Sequence, residues 1–263
     1  MLSILITHYN RPEALKKCIN TLRDFNFNIN YEIVVSDDGS NIENIEKLKD
    51  FQIDTLVTTK VNQGLAANIN KGLKACIGAN ILYVQEDFLI DSKFNEVFLE
   101  GLVLLEKGIL DMVRYRANYV FSKLIKCSDN IFRIPKFSFS NFNINTFQYS
   151  DHPFLTTKTF YETYGYYLEN TSVGYGETEF AIRIMKSTAK IGITKINYFH
   201  AIDVESTLGQ GLYINKSKIR KKIKRFSRAL RQHFEWVLYN PNKRKLYTYK
   251  NRRLLDNATK GNL

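Results

Sequence analysis

The chain has 263 residues, with 38 Lys and Arg against 26 Asp and Glu for a net charge of +12, and 44% of its residues are apolar while only 4 are Pro and 13 Gly. That balance excludes collagen-like and disordered chains and leaves room for one large domain or two small ones. The basic excess asks for an anionic partner, whether nucleic acid, a phosphorylated ligand or an acidic membrane surface.

Cys18, Cys76 and Cys127 are odd in number and far apart, with no C-x-x-C pair. This argues against a disulfide framework or a zinc cage and for a reducing, cytoplasmic setting. The apolar start, residues 1–6, is broken by His8 and Arg11 and is too short for the core of a signal peptide. The most apolar later stretch, residues 97–110, contains Glu100, Glu106 and Lys107, so no membrane-spanning helix is expected.

In chain order, residues 2–6 read as a strand, and Pro12 opens a helix to residue 23 with Ala14, Leu15, Cys18, Ile19 and Leu22 at helical spacing. Residues 31–36 form a second strand, 42–51 a short helix, 55–58 a short strand, 65–77 a helix and 81–84 another buried strand. This alternation predicts a parallel sheet covered by helices on both faces. Residues 112–150, rich in Phe, Asn, Ser and Tyr, read as irregular structure with antiparallel strands at 131–134 and 137–139. Residues 154–164 and 178–186 look helical, and 191–198 strand-like.

The chemistry concentrates at strand ends. The first strand runs into Thr7-His8-Tyr9-Asn10-Arg11 and the second into Ser36-Asp37-Asp38-Gly39-Ser40. In an open parallel sheet, ligands sit beyond the carboxyl ends of the strands, so both loops should face one site. Carboxylates there suit the imide N–H of uracil or the hydroxyls of ribose; an acidic turn shaped by Gly and Ser is the other reading. Asn62-Gln63-Gly64, followed by Ala67, Asn70 and Gly72, suits either phosphate at a helix N-terminus or close packing of small residues on the sheet. The strand at 81–84 ends in Gln85-Glu86-Asp87, an acidic end that calls for a cation or hydrogen-bond donors, and Mg²⁺ or Mn²⁺ with substrate phosphates would serve.

These four elements, in this order, resemble the nucleotide-diphosphate-sugar-binding half of family 2 glycosyltransferases. The matching residues are Thr7, Tyr9, Asn10 and Arg11, then Asp37-Asp38-Gly39-Ser40, then Asn62, Gly64, Ala67, Asn70 and Gly72, and then the acidic strand end. The resemblance implies a GT-A fold: an α/β, Rossmann-like, mostly parallel sheet that binds a nucleotide-sugar, UDP-linked first, and a divalent metal, Mn²⁺ or Mg²⁺. Thr7, Tyr9, Asn10, Arg11, Asp37, Asp38, Asn62, Gly64, Asn70 and Glu86 are then the donor contacts. The family's Asp-x-Asp strand end reads Gln-Glu-Asp here, so Asp87 takes the metal position.

The resemblance continues at residues 174–183, where Glu177 falls at the family's general base and Glu179 on the acceptor side; both also suit the positive end of a helix dipole. An acceptor hydroxyl attacks well only when a carboxylate accepts its proton, and one base on the face opposite the leaving diphosphate implies inversion. His200 resembles the late histidine that reaches the metal or diphosphate, although a buried structural histidine would look the same. Residues 206–211 suit a lid over the donor. On the acceptor side, His152 is the candidate, within Tyr149, Asp151, His152 and Pro153, and Tyr161, Tyr164, Tyr166 and Tyr167 offer either stacking faces or core packing.

The tail concentrates the charge: from residue 216 to 253, Lys and Arg face Glu235 alone, with Ile219, Ile223, Phe226, Leu230 and Phe234 at helical spacing. Such a helix suits either an anionic bilayer beside a lipid-linked acceptor or packing on the catalytic domain with a solvated basic face. The expected organisation is a GT-A domain over residues 1–213, with a donor half at 1–90 and an acceptor half at 91–213, and a basic helical extension over 214–263. The activity implied is inverting transfer of a sugar to a saccharide or glycolipid hydroxyl in surface polysaccharide assembly, at the cytoplasmic side or on the inner face of the membrane, with an oligomer left open. A sugar-phosphate nucleotidyltransferase would carry a glycine-rich basic loop after the first strand, which residues 7–12 lack. A nucleic-acid-binding protein would show aromatics interleaved with the tail's cations, so no nucleic acid partner is expected.

Overall fold

The computed structural model describes residues 1–202 and 218–252; the expected lid at 206–211 and the expected boundary at 213/214 lie outside the described residues. In chain order the elements are β1 (Leu2–His8), α1 (Pro12–Arg23), β2 (Tyr31–Asp37), α2 (Ile42–Leu48), β3 (Thr55–Val57), α3 (Leu65–Ala75), β4 (Asn80–Gln85), β5 (Phe88–Ile90), α4 (Phe94–Glu106), β6 (Met112–Arg114), β7 (Ile125–Lys126), β8 (Ile131–Arg133), β9 (Phe154–Thr157), α5 (Lys158–Tyr164), α6 (Val173–Lys186), β10 (Ile191–Thr194), β11 (Phe199–Ala201) and α7 (Lys218–Leu238).

A nine-stranded sheet in the order β3-β2-β1-β4-β9-β6-β10-β8-β7 carries the fold. Its first four strands are parallel, with Thr7 opposite both Ser36 and Gln85 and His8 opposite Asp37. This register brings the three acidic or polar strand ends level at one edge. β1 is buried at all seven positions, as a central strand covered on both faces requires. One cluster, with Leu15, Ile19 and Phe98 on Ile4, Ile6 and Val35, packs one face, and a second, with Ile69, Leu73 and Phe180 on Leu5, Val34 and Tyr83, packs the other. Gly72 lets α3 approach closely: a β-carbon there would stand 2.3 Å from Leu5 and 2.9 Å from Ser36.

The α/β expectation with helices on both faces holds, and the early elements fall within a few residues of their expected bounds. Three later elements differ. Residues 154–157 are not helical but form β9, antiparallel to both β4 and β6, and the helix starts only at Lys158. Phe-Leu-Thr-Thr suits a strand, and pairing on both edges satisfies its backbone groups, which overrides the helical pattern that follows. The strand expected at 137–139 gives way to 3-10 turns at Phe139–Asn141 and Asn145–Gln148. Helix α6 begins at Val173, earlier than expected, so Glu177 and Glu179 lie past its first turn and the dipole reading does not apply.

All three cysteines are free thiols. Among the described residues no helix is long and apolar enough to cross a membrane.

Candidate active site

The two loops after β1 and β2 are built as one unit. Arg11 N–H donates to His8 Nε2 at 3.1 Å, which leaves the ring proton on Nδ1, facing Asp37 Oδ2 at 2.8 Å. Asp37 Oδ1 accepts the Gly39 and Ser40 N–H groups at 3.0 and 2.9 Å, and the Ser40 hydroxyl bonds Oδ2. Burial alone would raise the Asp37 pKa, but bonds from His8 and Ser40 hold it below its ordinary value. Its side chain is fully buried, so the direct nucleotide contact expected of Asp37 is replaced by an organising one.

Asn10, in the left-handed region at φ 55°, is likewise spent on protein. Its N–H donates to Ser40 Oγ at 2.7 Å and its Oδ1 accepts from Asn41 N at 2.9 Å and Asn44 Nδ2 at 3.1 Å. Thr7 faces Tyr83 OH at 3.1 Å within the core. Tyr9 lies half-buried in the same loop.

Asp38 links this unit to the next loop, its two oxygens accepting Gln63 and Gly64 N–H at 2.8 Å each. Gly64, at φ 93°, opens α3, and Asn62 is exposed beside it. Gly39 is required where the loops meet, since at φ 75° a β-carbon would stand 2.5 Å from the Val61 carbonyl carbon. Lys71 on α3 reaches the Asp37 carbonyl oxygen; burial pulls its pKa down while Asp38 and Asp37 oppose the shift. Asn70, expected at the donor, instead bonds Tyr167 O and N–H, both at 3.0 Å, and Glu169 at 2.8 Å, joining α3 to the segment between α5 and α6.

At the end of β4, Arg11 Nη1 sits 3.6 Å from Glu86 and 3.7 Å from Asp87. Burial and then the Asp87 carboxylate push Glu86 up to about 7, and burial raises Asp87 against the pull of Arg11 and Arg116. Asp87 Oδ1 is buried with no hydrogen-bond partner. One orphaned carboxylate oxygen beside a second acid fits a cation whose other ligands come from a bound diphosphate. Among the described residues no group of three or more His, Cys, Asp and Glu is placed to hold a metal by protein ligands alone. His200 does not join Asp87: its Nε2 lies 3.0 Å from Asp91, on an exposed stretch where β11 pairs with β5.

A carboxylate pair lines a pocket beside α3. Asp151, just before β9, and Glu177, on α6, line one pocket with Leu65, Ala66, Tyr167 and Thr171, so the N-terminal turn of α3 forms part of its wall. Burial, then the neighbouring Glu177 carboxylate, raises Asp151; burial raises Glu177, with the Asp151 backbone and Arg114 opposing. Tyr149 OH donates to Asp151 Oδ1 at 2.5 Å. Beneath the pair, Arg114 is almost wholly buried, donating to Phe147 O at 2.6 Å and Ser150 Oγ at 2.5 Å, and burial pulls its pKa down to about 10.

His152 hydrogen-bonds with Ser150 Oγ at 3.0 Å and stands edge-on to Phe88 at 5.9 Å, which ties it to the strand end carrying Asp87. Burial and then Arg114 and Arg116 bring it down to about 4, so it is a neutral imidazole. Glu179 is no acceptor ligand. It is fully buried and bonded by Arg183 at 3.1 Å, by Arg244 at 3.3 Å and by Tyr239 OH. Tyr161 and Tyr167 stack into the core around Phe180 rather than on a solvent face.

Three groups of polar side chains are thus candidates for the site: the joined loops of Asp38 and Gly64, the strand end of Arg11, Glu86 and Asp87, and the Asp151–Glu177 pair, which shares its pocket with the first turn of α3. Sequence reading named Asp151 only as a neighbour of His152 and missed Arg114 and Lys71. Arg114, a lone cation at the end of an apolar three-residue strand, was the signal available for itself and for Asp151.

Glycosyl transferase family 2 matches residues 3–168, from β1 through α5. No curated protein sequence matches the chain. Among solved structures, S. aureus TarS 1–349 in complex with UDP-GlcNAc aligns with a TM-score of 0.59 at 16% identity, covering 89% of this chain and 72% of that one. The same fragment in complex with UDP gives 0.58 at 15%, covering 89% and 71%, and a further S. aureus TarS structure gives 0.58 at 16%, covering 89% and 43%. At these identities the structural likeness concerns the fold. The family match spans more than half of the chain and all of the joined loops, and on that ground the chain belongs to glycosyl transferase family 2 and is a glycosyltransferase.

Proposed function

We propose that the chain moves a sugar from a nucleotide-diphosphate sugar, UDP-linked first, onto a hydroxyl of a saccharide or lipid-linked saccharide with inversion at the anomeric carbon. The observation that carries this reading is the convergence of the Asp151–Glu177 pair and the first turn of α3 on one pocket, with Asp38 holding the loop that opens that helix. The donor nucleotide lies along the joined loops, against Asp38, Asn62 and Gly64. The UDP-GlcNAc and UDP of the TarS complexes support the choice of nucleotide.

Arg11 faces the diphosphate, where its guanidinium offsets the charge that develops on the leaving group. A divalent ion, Mn²⁺ or Mg²⁺, would be held by Asp87, with Glu86 beside it, and would supply further charge stabilisation.

Glu177 accepts the proton of the acceptor hydroxyl. Two carboxylates in one poorly solvated pocket do not both ionise readily, so the pair retains a proton. Held on the more deeply buried Asp151, that proton leaves Glu177 as a carboxylate with an elevated pKa, closer to working pH and better suited to general base catalysis. Neutral His152 orients the acceptor through its ring, beside Asn118.

The test has two parts. UDP-, GDP- and dTDP-sugars, each with and without Mn²⁺, are screened by thermal shift; UDP-sugars are expected to stabilise the protein most, and no shift with any of them removes the donor site. Glu177→Gln is expected to keep the donor shift and to lose transfer by about 10²- to 10⁴-fold in kcat; full activity in that variant rejects the base.

A further inference from the structure

Helix α7 presents the opposite of an ordinary docked face. It packs on the rest of the molecule through Ala229, Gln232, Glu235 and Trp236, the first three of which are almost fully buried. Its apolar stripe points outward instead: Ile223, Phe226, Leu230, Phe234 and Val237 are 63, 51, 49, 53 and 64% exposed. A surface helix normally turns such a stripe to the core.

The flanks are positive. On the 3.6-residue pitch, exposed Lys224 and Arg231 border the stripe on one side and exposed Lys222 on the other. The acid of this helix, Glu235, is consumed internally by Tyr247 N–H at 2.9 Å and by Thr248 Oγ1 at 2.5 Å, so it offsets nothing at the surface. The patch extends beyond the helix. Phe142 packs on Phe226 at 5.7 Å and on His233 at 4.5 Å, and Phe139, 86% exposed, lies beside Phe137, whose ring stacks on Trp236.

We propose that this face is a docking surface for an anionic lipid bilayer, with the stripe of α7 and Phe139 entering the interface and Lys222, Lys224 and Arg231 meeting the headgroups. The helix, 21 residues and about 30 Å long, lies in the membrane plane rather than across it. Charge complementarity selects the occupant. A second copy of the chain would bring the same cations face to face, whereas an anionic headgroup layer is attractive to each by about fivefold in binding per charge.

The experiment is co-flotation of the full chain with vesicles of phosphatidylcholine alone or containing roughly one third phosphatidylglycerol. Expected results are binding to the anionic vesicles only, weakening from about 0.1 M to about 0.5 M salt, and loss of roughly tenfold or more in a Phe226→Ser, Leu230→Ser double variant. Both positions are half exposed, and an unchanged far-ultraviolet spectrum and melting temperature confirm that the variant is folded. Failure of the wild-type chain to float with anionic vesicles overturns the proposal, as does binding unaffected by the double variant. A lipid-free dimer by light scattering that the double variant abolishes also overturns it, assigning the face to a second copy.

Discussion

Asp151 illustrates how one side chain acquires its properties from where the chain places it. It is buried beside Tyr149, Arg114 and Glu177, and its pKa is raised by burial first and by the Glu177 carboxylate second. A group whose folded pKa lies above its unfolded value favours the folded state fully below the unfolded value, and that contribution is lost as pH rises through the folded value. The wild-type chain should therefore lose melting temperature between about pH 5 and about pH 8 in part through this residue. Asp151→Asn, which has no proton to lose, should flatten that slope, and thermal melts across the pH range read the difference; parallel slopes would show that Asp151 ionises freely. The sequence singles out Glu177 through the motif around it, whereas Asp151 is named there only as a neighbour of His152, because its surroundings depend on the strand that follows it, which the local pattern makes look helical.

At the scale of elements, the early parallel strands and helices were readable because each is stabilised by its own periodicity and by neighbours close in sequence. Between residues 112 and 157 the expected strand at 131–134 is found as β8, but β6 and β9 were not readable, since they span three and four residues and exist only through partners far along the chain. Residues expected to touch the donor divide on the same line. Asp37, Asn10 and Asn70 have the residue types of a binding site, yet their hydrogen bonds hold loops and elements to one another. Gly39 is the tightest point of that assembly. Gly39→Ala should destabilise the fold by about 1–3 kcal/mol and weaken donor binding, whereas Gly174→Ala, where a β-carbon meets nothing within 4 Å, should be neutral or stabilising. Urea titrations of the two variants make the comparison, and equal stability would show that the loop contact is soft.

Across the whole molecule, Glu179 joins α6 to the segment after α7. Tyr239 and Arg244 reach it from that segment and Arg183 from its own helix, and Arg244 also donates to Tyr166 O at 2.7 Å. The sequence offered a family role for Glu179 and nothing to suggest these partners, which lie 60 and 65 residues away. Glu179→Gln leaves two guanidinium groups without their anion and should cost on the order of 3 kcal/mol. Its acceptor KM should stay unchanged in steady-state assays, and a raised KM at unchanged stability would restore the acceptor role.

The position of β9 also bears on how the chain is made. Until Phe154–Thr157 has left the ribosome, β4 has no partner on its outer side, although its own residues, ending at Gln85, emerged long before. For that interval the nascent chain presents an apolar strand with unsatisfied amides, open to pairing with any neighbouring polypeptide. Pairing of β9 closes that edge and fixes Asp151 just before it, but Glu177, on α6, can meet Asp151 only after residues 173–186 have followed, so the growing polypeptide covers its open strand before it completes its carboxylate pair.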